Sequence, residues 1–157
     1  MSPDRRIRFG ALLRQANNRW PAIAESARIC DDLGFDSIYF IDHLLALPDP
    51  SSDILESWTT MTACATMTKR VRMGGNVLCN SFRSPALLAK MAATLDQISG
   101  GRFELGIGAG WHEPEYHAYG FDFPTRACGS TSSPRPSRSS SGCGRASNST
   151  SPENTTG

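Results

Sequence analysis

NSFRSPALLAKMAATLDQISGGRFELGIGAGWHEPEYHAYGFDFP, residues 80–124, carries a helix, a strand and a glycine-rich turn in direct succession. Ser84 before Pro85 is a helix start: a Ser hydroxyl can accept from an unpaired N–H of the first turn, and Pro has no N–H there to leave unpaired. Leu88, Met91, Leu95 and Ile98 follow at helical spacing and form one apolar face. Gly100-Gly101 ends the helix, because glycine enters the left-handed region without strain. Residues 102–107 then read as a β-strand, with Gly106, Gly108 and Gly110 alternating through its end and behind it. A helix feeding a strand is half of a βαβ unit, and the upstream sequence supplies the other half.

Apolar, β-rich segments at 7–13, 37–41 and 71–78 precede the one at 102–107, spaced by about thirty residues, the length of a βαβ unit. The first intervening helix begins at Pro21, places Ile23, Ala27, Cys30 and Leu33 on one side and stops at Gly34. The second is introduced by Asp53 with Glu56 three residues on, a capping-box pattern, and carries Trp58, Met61 and Ala65 along one stripe. Strands alternating with helices predict an α/β fold with a parallel sheet covered by helices. The chain has 157 residues, fewer than the ~250 of a complete eight-fold α/β barrel.

Composition divides the chain. Residues 1–127 read as ordinary globular protein, whereas the 30 residues 128–157 hold ten Ser, four Thr, four Gly and three Pro and no large aliphatic or aromatic side chain. Such a segment has nothing to bury against the entropy of ordering and is expected to be disordered. A natural Ser-rich tail is one origin. A shifted reading frame is the favoured one: a Ser codon TCN preceded by any base conceals Phe, Leu, Ile or Val, and the hidden frame from Cys128 onward can restore helical apolar spacing. Net charge is +1, from 16 basic and 15 acidic side chains, which argues against a nucleic-acid or polybasic membrane partner. Only Arg135, Arg138 and Arg145 would favour a binding role for the tail. No apolar run approaches the length of a membrane span and no signal-peptide core is present, so a cytoplasmic protein is expected. Five widely spaced cysteines without a CxxC predict free thiols and no metal site.

Ligands of parallel α/β folds bind at the carboxyl ends of the strands, where three constellations fall here. Asp42-His43 follows the strand 37–41. His43 can exchange a proton near neutral pH and Asp42 can accept a hydrogen bond, or the pair simply forms a polar turn. Gly74-Gly75-Asn76-Val77 suggests a bulge or a close approach to the backbone. The run Gly106-Ile107-Gly108-Ala109-Gly110-Trp111-His112 either opens backbone N–H groups to a ligand or makes a tight turn. It lacks the GxGxxG pattern, which disfavours a dinucleotide-binding site.

Together these segments resemble the luciferase-like oxidoreductase superfamily, more specifically its deazaflavin-dependent branch. The resemblance runs from about Ile7 to Arg126 and rests on IYFIDHL at 38–44, on the 80–124 stretch and on their spacing. It implies a (β/α)8 TIM barrel, of which residues 1–127 would be the N-terminal half with about four β/α units. It also implies coenzyme F420 as cofactor, with FMN as the alternative, hydride transfer with a small-molecule substrate, and room for a homodimer in the full-length form. By the same resemblance His43 is the proton donor or acceptor at the catalytic centre and Asp42 contacts the cofactor. Asn76–Val77 matches a non-proline cis peptide behind the ring, and Cys79, Ile107, Gly108 and His112 match cofactor-contact positions. Relatives such as the glucose-6-phosphate dehydrogenases carry a catalytic Glu where Ala109 stands, so their substrate is not carried over. His112 replaces a commoner Asn. The rival expectation is an inactive fragment, with open first and fourth strands and an apolar inner sheet face left to water.

Overall fold

The computed structural model describes residues 7–124. The Ser-rich stretch 128–157, with Cys128, Cys143 and the three arginines above, lies outside the described residues, as does the expectation of disorder and of a frame shift there. The described elements run β1 (Gly10–Leu12), α1 (Trp20–Leu33), β2 (Ser37–Phe40), α2 (Ser57–Met67), β3 (Arg72–Gly75), β4 (Leu78–Cys79), a 3-10 turn (Asn80–Phe82), α3 (Pro85–Ser99), β5 (Phe103–Glu104), β6 (Ile107–Gly108) and α4 (Glu113–Tyr119). Four strands form one parallel sheet in the order β1-β2-β3-β5, the α/β arrangement expected of part of a barrel.

Register sorts the side chains into two faces, since successive strand residues point oppositely. Ala11, Ile38, Met73 and Phe103 lie side by side across the sheet. They form the row that packs under the helices, against Ile23, Ala27, Met61, Cys64, Leu88 and Leu95. Ile38, Met61, Cys64 and Met73 are fully buried, and each large aliphatic side chain so placed contributes ~1.5–3 kcal/mol. Burial also pushes the Cys64 thiol up to about 12, so it sits as an inert, protonated core group.

The opposite face carries Gly10, Ser37 and Arg72 in one row and Leu12, Tyr39, Gly74 and Glu104 in the next. The expectation of an apolar inner face is corrected here. Tyr39 donates its hydroxyl to Glu104 at 2.8 Å and Arg72 Nε reaches the same carboxylate at 2.5 Å, a polar network on the side that a closed barrel would turn inward. Leu12 is the apolar exception, 56% exposed.

Helix boundaries follow local chemistry, with one change of residue. Gly34 closes α1 at φ 80°, and Ser84 caps α3 by accepting from Leu87 N. The cap of α2 is Glu56, not Asp53: its carboxylate accepts from Trp58 N at 2.9 Å and Thr59 N at 2.6 Å. Asp53 instead offers its carbonyl to Asn17 N in the neighbouring loop. Ile98, expected on the apolar face of α3, is 46% exposed.

The strands expected at 71–78 and 102–107 each break in two. Asn76 N bonds back to Phe40 O at 2.7 Å, whereas Leu78 N bonds forward to Gly106 O at 2.8 Å. Between them the Asn76–Val77 peptide is cis. The chain thus leaves the main sheet after Gly75 and resumes as β4, paired in parallel with β6 as a separate two-stranded ribbon.

A candidate active site at the carboxyl ends of the strands

Three loops meet beyond β2, β4 and β6. Asp42, 4% exposed, holds them together. Its Oδ2 accepts from Cys79 N at 2.8 Å and from Arg83 Nη1 at 2.6 Å, and its Oδ1 accepts from Arg83 Nη2 at 3.0 Å. Arg83 Nη2 also reaches Glu56 Oε1 at 2.9 Å, and the guanidinium lies over the Trp58 ring at 5.8 Å. Bidentate, charge-assisted geometry of this kind fixes orientation as well as energy. Burial alone would draw the Arg83 pKa down, but the hydrogen bonds and charges of Asp42 and Glu56 outweigh it and raise it. Glu56 answers in the opposite sense: burial pushes its carboxyl up, and the N–H groups of Thr59 and Trp58 with the Arg83 charge bring it below its ordinary value.

His43 follows directly. Its Nδ1 lies 2.9 Å from Glu115 Oε1, and Glu115 is 2% exposed. Glu115 Oε2 accepts from Leu44 N at 2.9 Å and Leu45 N at 3.3 Å. The Trp111 ring stands edge-on to the His43 ring at 5.7 Å, and the His112 ring at 6.0 Å.

The glycine run acquires a physical reason that its spacing alone did not reveal. A Cβ on Gly106 would strike the carbonyl of Gly75, one on Gly108 would strike the Val77 side chain, and one on Gly110 would strike the Tyr116 hydroxyl. Only Gly110, at φ 82°, also needs the left-handed region. The space left by Gly106 and Gly108 is therefore filled by the cis bulge of this same chain. The Tyr116 hydroxyl lies 3.1 Å from Cys79 Sγ, and burial with that thiol contact raises the Tyr116 pKa.

These groups enclose a cavity of about 170 Å³ that Asp42, His43, Asn76, Val77, Cys79 and Gly108 all line. Ile107 and His112 do not reach its wall. Ile107 is 50% exposed, while the His112 ring packs against the Trp111 ring at 5.2 Å with its Nε2 buried and without a hydrogen-bond partner. Gly110 and Trp111, from the glycine-rich run, complete the lining together with Ile41 and Glu115, which sequence reasoning missed. Glu115 carried no local signal, since its partners lie about seventy residues upstream. Among the described residues no group of His, Cys, Asp and Glu could hold a metal ion, and no helix there is long and apolar enough to cross a membrane.

A parallel α/β sheet with a small, His-containing cavity beyond the carboxyl ends of its strands is the arrangement of a barrel-type enzyme site. The family described as luciferase-like monooxygenase matches residues 6–128, and the chain belongs to that family. Its members are oxidoreductases and monooxygenases. Pyrimidine monooxygenase RutA of an Escherichia coli O7:K1 strain is 42% identical over 66 residues, 42% of this chain and 20% of RutA. An F420-dependent secondary alcohol dehydrogenase, solved with an F420-acetone adduct, superposes with a TM-score of 0.68 at 27% identity, covering 76% of this chain and 36% of that one. The oxygenating constituent of 3,6-diketocamphane monooxygenase from Pseudomonas putida, solved with FMN, gives a TM-score of 0.62 at 26% identity, covering 73% and 33%. The chain thus spans about a fifth of the curated relative and about a third of the solved enzymes.

Proposed function

We propose that this chain carries the cofactor-facing half of an oxidoreductase that uses coenzyme F420 for hydride transfer with a small-molecule substrate. The observation that carries the reading is the cavity itself: a histidine, an exposed bulge and a glycine floor face one another at the strand ends. A deazaflavin or flavin ring is flat and apolar with a polar rim, and the groups present suit it. Val77, 47% exposed on its bulge, offers an apolar support. Asn76, Val77, Cys79 and Gly108, which line the cavity, are the residues we assign to holding the ring, whereas Ile107 and His112 have no such place in this geometry. Asp42, with both oxygens engaged by Arg83 and Cys79, fixes the wall on which they stand.

When bound, the cofactor supplies the two-electron redox chemistry, and the protein supplies position and electrostatics. His43 Nε2 has no hydrogen-bond partner among the described residues and is the atom that exchanges a proton with substrate. Trp111 covers one side of the His43 ring and limits the approach of water. An FMN-dependent monooxygenase is the second reading, favoured by the RutA match and by the FMN-bound neighbour. On this reading residues 1–127 belong to the half-barrel and 128–157 are a segment read out of frame, which the gene sequence across codons 120–160 tests.

Cofactor choice is tested by parallel titrations of an enzyme in which this segment is completed by its second half-barrel. Quenching of F420 fluorescence at micromolar protein with weaker FMN binding is expected. Tighter FMN binding reverses the assignment.

A further inference from the structure

The resemblance gives Glu115 no role, yet Glu115 and Asp42 are the two most deeply buried carboxylates at the cavity wall. The Glu115 side chain is 3% exposed, against 17% for His43. Burying a carboxylate is costly unless its oxygens are hydrogen-bonded, and here each is. Oε2 takes the two backbone N–H groups of Leu44 and Leu45; Oε1 faces His43 Nδ1 alone. Two N–H donors on one oxygen favour the ionised carboxylate, which can only accept. An Oε1 that accepts requires Nδ1 to be the donor of that third contact.

We propose that Glu115 is the positioning residue of His43, holding the imidazole as its Nδ1–H tautomer so that Nε2 is the basic atom left for proton exchange. The inference rests on the reading of His43 as the proton-exchanging residue and adds what aims it. Which ring nitrogen is protonated is set by the hydrogen bond that the other makes, and among the described residues Glu115 alone bonds to this ring. The three bonds also tie α4 to the loop after β2 at consecutive residues, 43, 44 and 45. Rotation of the ring would break the first, and movement of the loop would break all three. Trp111 and His112, both edge-on to the ring, crowd it without offering a hydrogen bond.

Nitrogen-15 labelling of the three histidines in the 157-residue chain, read by magic-angle-spinning NMR at a pH alkaline enough that no doubly protonated ring signal remains, tests this without cofactor and tolerates self-association. His43→Asn assigns the His43 signals. The expected wild-type pattern is a protonated Nδ1 and an unprotonated Nε2, with Glu115→Gln moving the ratio several-fold toward Nε2–H. A merely structural Glu115 would leave the ratio unchanged in a variant that still melts cooperatively. An Nε2–H ring in the wild type, or an unchanged ratio in Glu115→Gln, overturns the proposal. If Glu115→Gln fails to fold, the wild-type tautomer decides alone. Loss of the F420 reading would show in the titrations and leave these spectra untouched, so the two failures are distinguishable.

Discussion

The two ends of the parallel sheet are both rimmed by polar side chains, but they use them differently. At the amino ends lies the larger opening, about 770 Å³, lined by Arg70, Arg72 and Arg102 with Asp36 and Glu104. At the carboxyl ends the cavity is about 170 Å³. Size would choose the first. Hydrogen bonding chooses the second. Arg102 Nε donates to Ser99 O at 2.7 Å, Nη1 donates to Thr68 Oγ1 at 2.9 Å and Val71 O at 2.8 Å, and Nη2 donates to Ala65 O at 2.8 Å and Thr68 O at 3.0 Å. Arg70 is turned onto the carbonyls of Asp31 and Asp32, and Arg72 onto Glu104. Arg102 thus engages Nε, Nη1 and Nη2 and staples the ends of α2 and α3 to the start of β3, so it has little left to offer a ligand. Beyond the strands' other ends, the Nε2 atoms of His43 and His112 remain without partners among the described residues. Unused hydrogen-bonding capacity, rather than volume, marks the site.

The sharpest way to break that comparison is to remove one side chain from each end. In a complete-barrel enzyme containing this segment, His43→Ala should lower turnover by ~10²–10⁴-fold and cost ~1–3 kcal/mol of stability, because the buried Glu115 Oε1 loses its donor. Steady-state kinetics with a urea melt reads both. Unchanged turnover would remove His43 from the chemistry. Arg102→Leu should destabilise the chain by ~2–4 kcal/mol as several carbonyls lose a charged donor and leave cofactor affinity alone. A urea midpoint equal to wild type would mean that water replaces the guanidinium without loss, and that the amino end is no staple.

Asp31 sharpens the same contrast through pH. The carboxylate at the end of α1 accepts from Lys69 N at 2.9 Å, Arg70 N at 2.7 Å and Val71 N at 2.7 Å. Burial pushes its pKa up, yet the three N–H groups and the Arg70 charge prevail and hold it below the ordinary carboxylate value. A folded pKa below the unfolded one gives stability that is present above the unfolded value of about 3.9 and is lost as pH falls through the folded value. Asp31→Asn should therefore cost ~1–3 kcal/mol at about pH 7, and the gap from wild type should narrow below about pH 4. Urea melts on either side of that value check it. A gap that stays constant with pH would assign the effect to packing and not to charge.

Local chemistry makes α1 and α3 legible in the sequence: Pro21 and Gly34 bound one, Ser84, Pro85 and Gly100 the other, and each signal acts within a turn of the residue that carries it. The second cap moves from Asp53 to Glu56: both residue types can cap, and Glu56 is the one whose carboxylate meets the helix N–H groups and also Arg83. The broken strands are not legible there at all, since whether Gly75 continues a ladder depends on Gly106, about thirty residues on. Site residues divide similarly. Asp42, His43 and Cys79 stand at strand ends, where pattern finds them. Glu115 is joined to the cavity only by tertiary hydrogen bonds, and Ile107 is turned away by the alternation of a two-residue strand whose register the sequence does not display.

The smallest effect should come from the inner face, where the amino-end network meets open space. Tyr39 donates to Glu104 across the top of Gly74, which has no Cβ because the Glu104 carbonyl occupies its place. Arg72 completes the group, but its side chain is 41% exposed and that of Glu104 32%. Exposed ion pairs are screened and typically contribute ~0–1 kcal/mol, and a tyrosine hydroxyl that loses a half-exposed acceptor can leave that acceptor to water. Tyr39→Phe should thus lower stability by no more than ~1 kcal/mol in the 157-residue chain, within reach of replicate urea melts. The same substitution in a complete barrel should cost more, because closure would take water away from Glu104 and leave its carboxylate short of a donor. Equal effects in the two proteins would show that the network stays wet after closure. A loss above ~2 kcal/mol in the short chain would exceed what an exposed pair supplies and would mean that the inner face is already covered there, most simply by a second copy.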